Sequence, residues 1–326
     1  MAALAILSCM TGRSRLPRVA GIATSTPPAT RATARMLASG PSSSPQPKPA
    51  VALPNGFLVV DKPSNWTSSD VVGKVRGTLE KHFRAYGHSF RRRSRLKVGH
   101  GGTLDPLATG LLVLGVGSGT KQLQQYLKGA KSYVAKAQLG IETDTQDSEG
   151  NAIVSTPYDH VSRAALEEAA RGMTGQIMQR APIYSARSIG GKRMYELARA
   201  GEITPDDVEA KPVTVYEMSV CSFDSDAGTF DLAVKCSGGT YIRSLITDIG
   251  RSVQSSAHMT ALERTRHGPF CSREEAANDT PSRSAGIEPV TLEHFGNAAR
   301  LLQALEEAGQ ALDGLANTDG EDSDLV

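Results

Sequence analysis

Val98-Gly99-His100-Gly101-Gly102-Thr103-Leu104-Asp105-Pro106-Leu107-Ala108-Thr109-Gly110 is the densest stretch of this 326-residue chain. Glycines at 99, 101 and 102 admit backbone conformations closed to other residues and let a ligand come close. Pro106 restricts the chain immediately after Asp105, so that carboxylate is held in one place. Taken alone, Leu-Asp-Pro also fits a turn whose aspartate caps a short helix. A phosphate-cradling P-loop is excluded, because no Gly-Lys-Ser/Thr follows at the required spacing. The apolar run 111–117 comes directly after and reads as a buried strand.

Upstream of this stretch, Phe57-Leu58-Val59-Val60 ends at Asp61-Lys62-Pro63 and reads as a strand entering a turn. Ser68 or Ser69 caps a helix over 70–83, with Val71, Val72, Val75 and Leu79 on one side. Downstream, 120–127 reads as a short helix, and 133–139 alternates with Tyr133, Ala135, Ala137 and Leu139 on one face. Ser162 caps a helix that Gly172 stops, and 194–199 forms another short one. Segments 213–223 and 229–235 flank Ser225-Asp226-Ala227-Gly228 as a hairpin. A helix over 241–253 puts Leu245 and Ile249 on one side. Strands and helices mix without a strict βαβ rhythm, which predicts an α+β fold with a largely antiparallel sheet.

The net charge of +2 hides three unlike regions. Residues 1–60 carry +6 with no acid, 61–272 carry +5, and 273–326 carry −9. The head, 1–55, is rich in Ala, Ser, Thr, Pro and Arg, the composition of a transit peptide. We expect it to be disordered and to direct the protein to the mitochondrial matrix, with nucleus, cytoplasm or plastid as alternatives. The folded domain is expected over 56–272. The acidic extension 273–326 is expected to hold one helix over 291–305, striped by Leu292, Phe295, Ala299 and Leu302, and a disordered end over 319–324. No run of about 18 apolar residues occurs, which excludes a membrane-spanning helix. Cys9, Cys221, Cys236 and Cys271 form no Cys-x-x-Cys pair, which argues against a zinc ribbon or a disulfide scaffold.

A basic middle predicts an anionic partner. Residues 74–97 hold nine Lys/Arg against Glu80 alone. Arg91, Arg92, Arg93, Arg95 and Lys97 are the candidate phosphate contacts, with Phe83, Tyr86 and Phe90 interleaved as stacking surfaces.

Taken whole, 98–110 resembles the catalytic motif of the TruB family of RNA pseudouridine synthases. The order of the later motifs extends the resemblance over about 56–272. Lys131-Ser132-Tyr133 and Thr143-Asp144-Thr145-Gln146-Asp147-Ser148-Glu149-Gly150 are similar to the tyrosine strand and its following loop. Ala181-Pro182-Ile183-Tyr184-Ser185-Ala186 and Gly191-Lys192-Arg193-Met194-Tyr195-Glu196 resemble the middle block. Gly238-Gly239-Thr240-Tyr241-Ile242-Arg243-Ser244-Leu245 and Leu262-Glu263-Arg264-Thr265-Arg266-His267-Gly268-Pro269-Phe270 resemble the last two. No PUA domain is visible after Phe270. Gly101 stands where bacterial members commonly have Thr, and Glu263 where they are often basic.

The resemblance implies a pseudouridine synthase fold and a reaction on the T-loop uridine of tRNA, position 55. The base is cut from the ribose at nitrogen, turned, and rejoined through carbon, with no metal, redox cofactor or ATP. The implied partner is the T-stem loop of tRNA, with messenger or other structured RNA as further candidates, and no obligate protein partner. Asp105 matches the catalytic aspartate, a nucleophile able to leave again. Arg243 matches its arginine partner, whose two-pronged contact keeps a desolvated carboxylate ionised. Tyr133 matches the tyrosine that stacks on the base and takes part in the proton step. His100 matches a residue that fills space inside the RNA loop once the base is flipped out. Tyr241 and Leu262 match residues lining the uracil pocket. Lys62 matches the lysine of the Asp-Lys-Pro block, where RNA contact and a structural role are both open. An RNA-binding protein without catalysis and an aspartate-nucleophile hydrolase are the rival classes.

Overall fold

The apolar run after Gly56 forms β1 (Gly56–Lys62), which pairs antiparallel along its length with β3 (Thr109–Val116). The computed structural model describes residues 51–271 and 285–321, with side chains described up to 315. The head 1–50, the end of the acidic extension and the connection 272–284 lie outside the described residues. All the described residues belong to one unit.

Between these strands come α1 (Ser68–Arg84) and β2 (Val98–His100). After β3 follow α2 (Leu123–Lys128), β4 (Lys131–Leu139) and the small hairpin of β5 (Ile141–Thr143) and β6 (Ala152–Ser155). Next are α3 (Arg163–Gly172), β7 (Gly175–Gln179), the hairpin of β8 (Ser188–Ile189) and β9 (Lys192–Arg193), and α4 (Met194–Arg199). The chain continues through β10 (Lys211–Asp224), β11 (Thr229–Cys236), α5 (Ile242–Ser252), β12 (Ala257–His267) and β13 (Phe270–Cys271). It closes with β14 (Ala285–Gly286) and α6 (Ala298–Glu321).

Ten strands make one sheet, in the order β1-β3-β12-β4-β11-β10-β7, with β2 beside β3 and β13 linking β12 to β14. The β3–β12 and β13–β14 pairs are parallel and the others antiparallel. The predicted α+β fold with a largely antiparallel sheet is therefore present. Its central strand β12 was not predicted as a strand.

Two packing layers hold this sheet. Leu166 and Ala170 of α3 and Leu245 and Ile249 of α5 cover Ala135, Ala137, Phe230, Leu232 and Met259. At the other end, Val71, Val75 and Leu79 of α1 meet Leu58, Val60, Leu112 and Leu114, together with Leu301 and Leu305 of α6. Each such fully buried aliphatic contributes about 1.5–3 kcal/mol. The chain past 285 returns to the same sheet. Asp61 N–H donates to Val290 O (3.0 Å) and Val290 N–H to Val59 O (3.0 Å), which closes the outer edge of β1.

Three local expectations need correction. Thr67, not Ser68 or Ser69, caps α1 in a reciprocal box with Asp70. The 120–127 helix divides into a tighter turn over Gly117–Gln122 and then α2. The 291–305 helix breaks after a short turn at Leu292–His294, and α6 starts at Ala298 behind Asn297, whose Oδ1 accepts Arg300 N–H (3.2 Å). That break rotates the apolar stripe, so Leu301, Ala304, Leu305 and Ala308 are buried while Leu292 and Ala299 are exposed. The backbone of α6 runs on to Glu321, into the stretch expected to be disordered, and 322–326 lie outside the described residues.

For the site, the important feature is a fork. The start of β3 lies beside β12, with Thr109 opposite Glu263 and Gly110 opposite Arg264. The end of β3 lies beside β2, with Val98 opposite Val116. The loop carrying Asp105 leaves at the point where β2 and β12 part. Gly110, with φ of 95°, closes the fork, because a Cβ there would strike the backbone of Arg264.

Candidate active site

Most of the loop from Gly101 to Ala108 is held by hydrogen bonds to its own backbone. Gly101 N–H donates to Val113 O (2.8 Å), and His267 Nε2 bonds Gly101 O (3.1 Å). His267 Nδ1 accepts Val113 N–H (3.2 Å), so the proton sits on Nε2 and the ring is neutral. Burial, with Arg264 and Lys131 nearby, pushes its pKa well below the usual histidine range. Ser68 Oγ accepts Leu104 N–H (2.9 Å) and donates to Leu104 O (3.3 Å), which is why it does not cap α1. Lys62 Nζ and Asn65 N–H donate to Pro106 O (3.0 and 2.9 Å), and Ser64 Oγ to Leu107 O (3.2 Å). The glycine at 101 has a local reason, since a Cβ there would lie 2.7 Å from that of Tyr126.

This clamped loop presents Asp105 to a cavity of about 460 Å³, within the range of small-ligand sites. Arg243, at the start of α5, approaches it on two prongs, Nε to Oδ2 at 2.9 Å and Nη2 to Oδ1 at 3.2 Å. The Nε approach is poorly angled for a hydrogen bond, so Nη2 carries the directional contact. The guanidinium is buried and also donates to Thr145 O (2.7 Å) and Tyr184 O (3.0 Å), with Asp147 Oδ2 3.5 Å from Nη1. Asp147 is held in turn by the Thr145 hydroxyl (2.6 Å) and Glu149 N–H (3.1 Å). Asp105 keeps 31% of its side chain open to the cavity. Burial raises its pKa above 3.8, with Arg243 opposing the rise and Asp147 adding to it. The result is a carboxylate aimed by one cation and reachable from outside.

The same cavity is lined by Tyr133, His100, Tyr241 and Leu262. Tyr133 stands on the small-residue face of β4, and burial raises its pKa while the positive charge of Arg264, opposite it on β12, pulls it down. His100 is more than half buried with Nδ1 unpartnered, and burial lowers its pKa, so it is a neutral ring at the pocket wall. Tyr241 is positioned through its backbone: its N–H donates to Gln179 Oε1 (2.8 Å) and its carbonyl accepts Gln179 Nε2 (3.0 Å).

The model of the TruB family pseudouridylate synthase N-terminal domain matches residues 90–242, covering Asp105 and Tyr133 and ending one residue before Arg243. Over 244 residues the chain is 41% identical to tRNA pseudouridine synthase B of Thermobifida fusca, covering 73% of this chain and 78% of the relative. Against pseudouridylate synthase TRUB1 of Homo sapiens it is 41% identical over 224 residues, covering 68% of this chain and 63% of that protein. It also resembles a solved chain in the crystal structure of a Cbf5-Nop10-Gar1 complex, with 26% identity and a TM-score of 0.50 over 78% of this chain. The chain spans less than two thirds of the human protein and 59% of that solved chain.

The chain belongs to the TruB family of pseudouridylate synthases.

Six residues that the TruB resemblance singled out, Asp105, Arg243, Tyr133, His100, Tyr241 and Leu262, therefore share one cavity. Lys62 does not. It is wholly buried, and its ammonium donates to Pro63 O (2.8 Å), Trp66 O (2.6 Å) and Pro106 O (3.0 Å). Burial lowers its pKa to about 8. Of the two roles left open for Lys62, these contacts favour the structural one, in which it braces the loop from behind. Lys62→Met should destabilise the protein, since three carbonyls lose their donor at about 1–3 kcal/mol each. It should lower kcat and leave RNA affinity unchanged; weaker RNA binding at unaltered kcat would reverse this assignment.

The basic stretch also needs amendment. Arg91, Arg92, Arg93 and Lys97 are exposed and lie outside the cavity lining, and Arg95 pairs with Glu80 (3.4 Å) while half exposed. Of the three interleaved aromatics, Phe83 is buried and Phe90 packs inward, leaving Tyr86 as the exposed one. TruB-type motifs contained further residues at the site that sequence reasoning left unassigned: Lys131, Arg193 and Arg264 in the cavity wall, and Asp147 behind Arg243. Lys131 and Arg264 lie inside motifs that carry the resemblance, which is the one signal that could have pointed to them.

Proposed function

We propose that this protein converts the T-loop uridine of tRNA, position 55, to pseudouridine, with Asp105 as the carboxylate that drives the exchange. The observation that carries this reading is the two-pronged contact of Asp105 and Arg243, 138 residues apart, at the wall of one cavity with Tyr133. Arg243 supplies the charge that keeps Asp105 ionised against its burial and points its oxygens at the ribose. Tyr133 and Leu262 line the cavity that would receive a flipped pyrimidine, and Tyr133 serves the proton step. The base leaves with the electron pair of the bond between nitrogen and ribose, turns, and rejoins through carbon. His100 supports the reading as a neutral ring able to stack inside the opened loop.

The test is to map pseudouridine in T-arm RNA and full tRNA, with and without the protein, by chemistry that marks the isomer, since its mass equals that of uridine. Pseudouridine confined to the T loop is expected; its absence from every RNA offered would overturn the reading. The acid-free, Arg-containing head supports delivery to the mitochondrial matrix, and mapping organelle against cytosolic tRNA in cells lacking the protein tests that.

The exposed cations that precede the catalytic loop support an electrostatic approach path. Changing Arg91, Arg92 and Arg93 to Ala should weaken RNA binding and lower its logarithmic salt slope by about 0.7–0.9 for each lost phosphate contact. The turnover of bound RNA should not change. An unaltered slope, measured from about 50 to 200 mM salt as a dilution series typical for such contacts, removes these residues from the interface.

A further inference from the structure

Arg264 is the buried cation for which the reaction so far has no use. It lies on β12 directly opposite Tyr133 of β4 and is 1% exposed. Among the described residues no carboxylate stands within ion-pair distance of it. Its Nε donates to Leu111 O (2.7 Å) and its Nη2 to Gly102 O (3.2 Å), and its charge acts on the phenol of Tyr133 across the strand pair. A guanidinium out of water without an anion is costly, because two carbonyls replace only part of its hydration. Arg264 lines the catalytic cavity and a neighbouring one of about 780 Å³, and Tyr133 stands beside it in the wall of both.

We infer that Arg264 is the counter-cation of Tyr133, holding its oxygen in the pocket wall and stabilising the phenolate that takes the proton from C5 of the rejoined base. This rests on the pseudouridine-synthase reading above. When C5 has bonded to the ribose it carries that bond and its original hydrogen, and N1 is an imine nitrogen. The Tyr133 phenol gives its own proton to N1 through water as its oxygen takes the C5 proton. The C5–H electron pair forms the C5–C6 double bond and the imine pair moves to N1, so the phenol is restored and no oxidant or further reactant enters. Arg264 is a positioning residue here, acting through Tyr133. Its bonds to Gly102 and Leu111 tie the phenol's partner to the catalytic loop and to β3, so base and carboxylate share one frame.

The experiment compares wild type, Arg264→Lys, Arg264→Met, Tyr133→Phe and the Arg264→Met/Tyr133→Phe double variant. Each is given T-arm RNA carrying hydrogen or deuterium at C5 of the target uridine, in single-turnover reactions with saturating protein. Arg264→Met should be slower by about 10²-fold or more, the scale of a lost acid–base contribution, and should show a primary isotope effect larger than wild type. Arg264→Lys should recover part of the rate and lessen the isotope effect. On the Tyr133→Phe background, Arg264→Met should add little. A slow Arg264→Met without an enlarged isotope effect, or with its full penalty retained in the double variant, would mean a purely structural role and overturn the inference. Should Arg264→Met fail to fold by thermal melt, the lysine variant decides alone: an isotope effect equal to wild type overturns the inference, and a larger one supports it. Wild-type protein that forms no pseudouridine would instead overturn the functional reading itself.

Discussion

Asp105→Asn is expected to abolish pseudouridine formation, by a factor on the order of 10⁴ or more, as when the reactive member of a coupled group is removed. RNA affinity should be unaffected, because the carboxylate faces the base and ribose rather than the phosphates. Stability should hold or rise. The pKa of Asp105 is raised in the folded protein, so the folded state binds that proton more tightly than the unfolded chain. Its contribution to stability is complete below about 3.8 and is lost as pH climbs through the folded value, which leaves an ionised, costly group at neutral pH. Asn removes that cost. The same shift governs the wild-type rate: activity should fall on acidification, at a pH above the ordinary aspartate range, as Asp105 gains its proton. Wild-type turnover by the Asn variant would end the assignment of this residue, and a sharply lowered melting temperature would contradict the direction of its pKa.

Arg243→Ala should be worse for the fold than any change at Asp105. It removes the cation that contacts both Asp105 and Asp147 and leaves two neighbouring carboxylates without it, Asp147 buried and Asp105 partly so. Breaking a buried pair from one side costs about 3–5 kcal/mol, and the remaining carboxylates would raise one another's pKa. Turnover should vanish together with stability. Arg243→Lys keeps the charge but not the fork that reaches Asp105, Thr145 O and Tyr184 O together, so it should restore part of the stability and little of the activity. Adding Asp147→Asn to Arg243→Ala should return some stability, because it removes one of the two like charges. Urea melts of the four proteins check this set. An Arg243→Ala variant that melts like wild type would show that the pair carries no structural weight.

Helix α1 was readable because Val71, Val72, Val75 and Leu79 recur at helical spacing and end up buried as expected. The hairpin of β10 and β11 was readable from its turn residues and alternation. Strand β12 was not. Register shifts between Met259 and Ala261 and between Arg264 and Arg266 break its alternation, and it turns Arg264 and His267 inward. A charge in a segment argues for solvent, and nothing local reveals that carbonyls and a phenol stand ready to receive it. Lys62 was left open between RNA contact and a structural role for the same reason. Asp105, Arg243 and Tyr133 were legible only together, through motifs spread over the chain, since each alone fits an ordinary turn, surface helix or core residue. Their distances, and the part played by Asp147, depend on how β5, α5 and the catalytic loop converge, which spacing in sequence does not encode.

The bracing of the catalytic loop has a consequence for which RNA is chosen. From Gly101 to Leu107 its backbone is secured by side chains of β1, α1 and β12 and by neighbouring main chain, so the protein has little slack to mould itself around a guest. Conformational work on meeting the substrate then falls on the nucleic acid, which must surrender a stacked base to a rigid receptor. Such a receptor should discriminate by the ease with which a nucleotide can be unstacked, and turnover of the same uridine placed in a hairpin loop and in a paired helix would measure it.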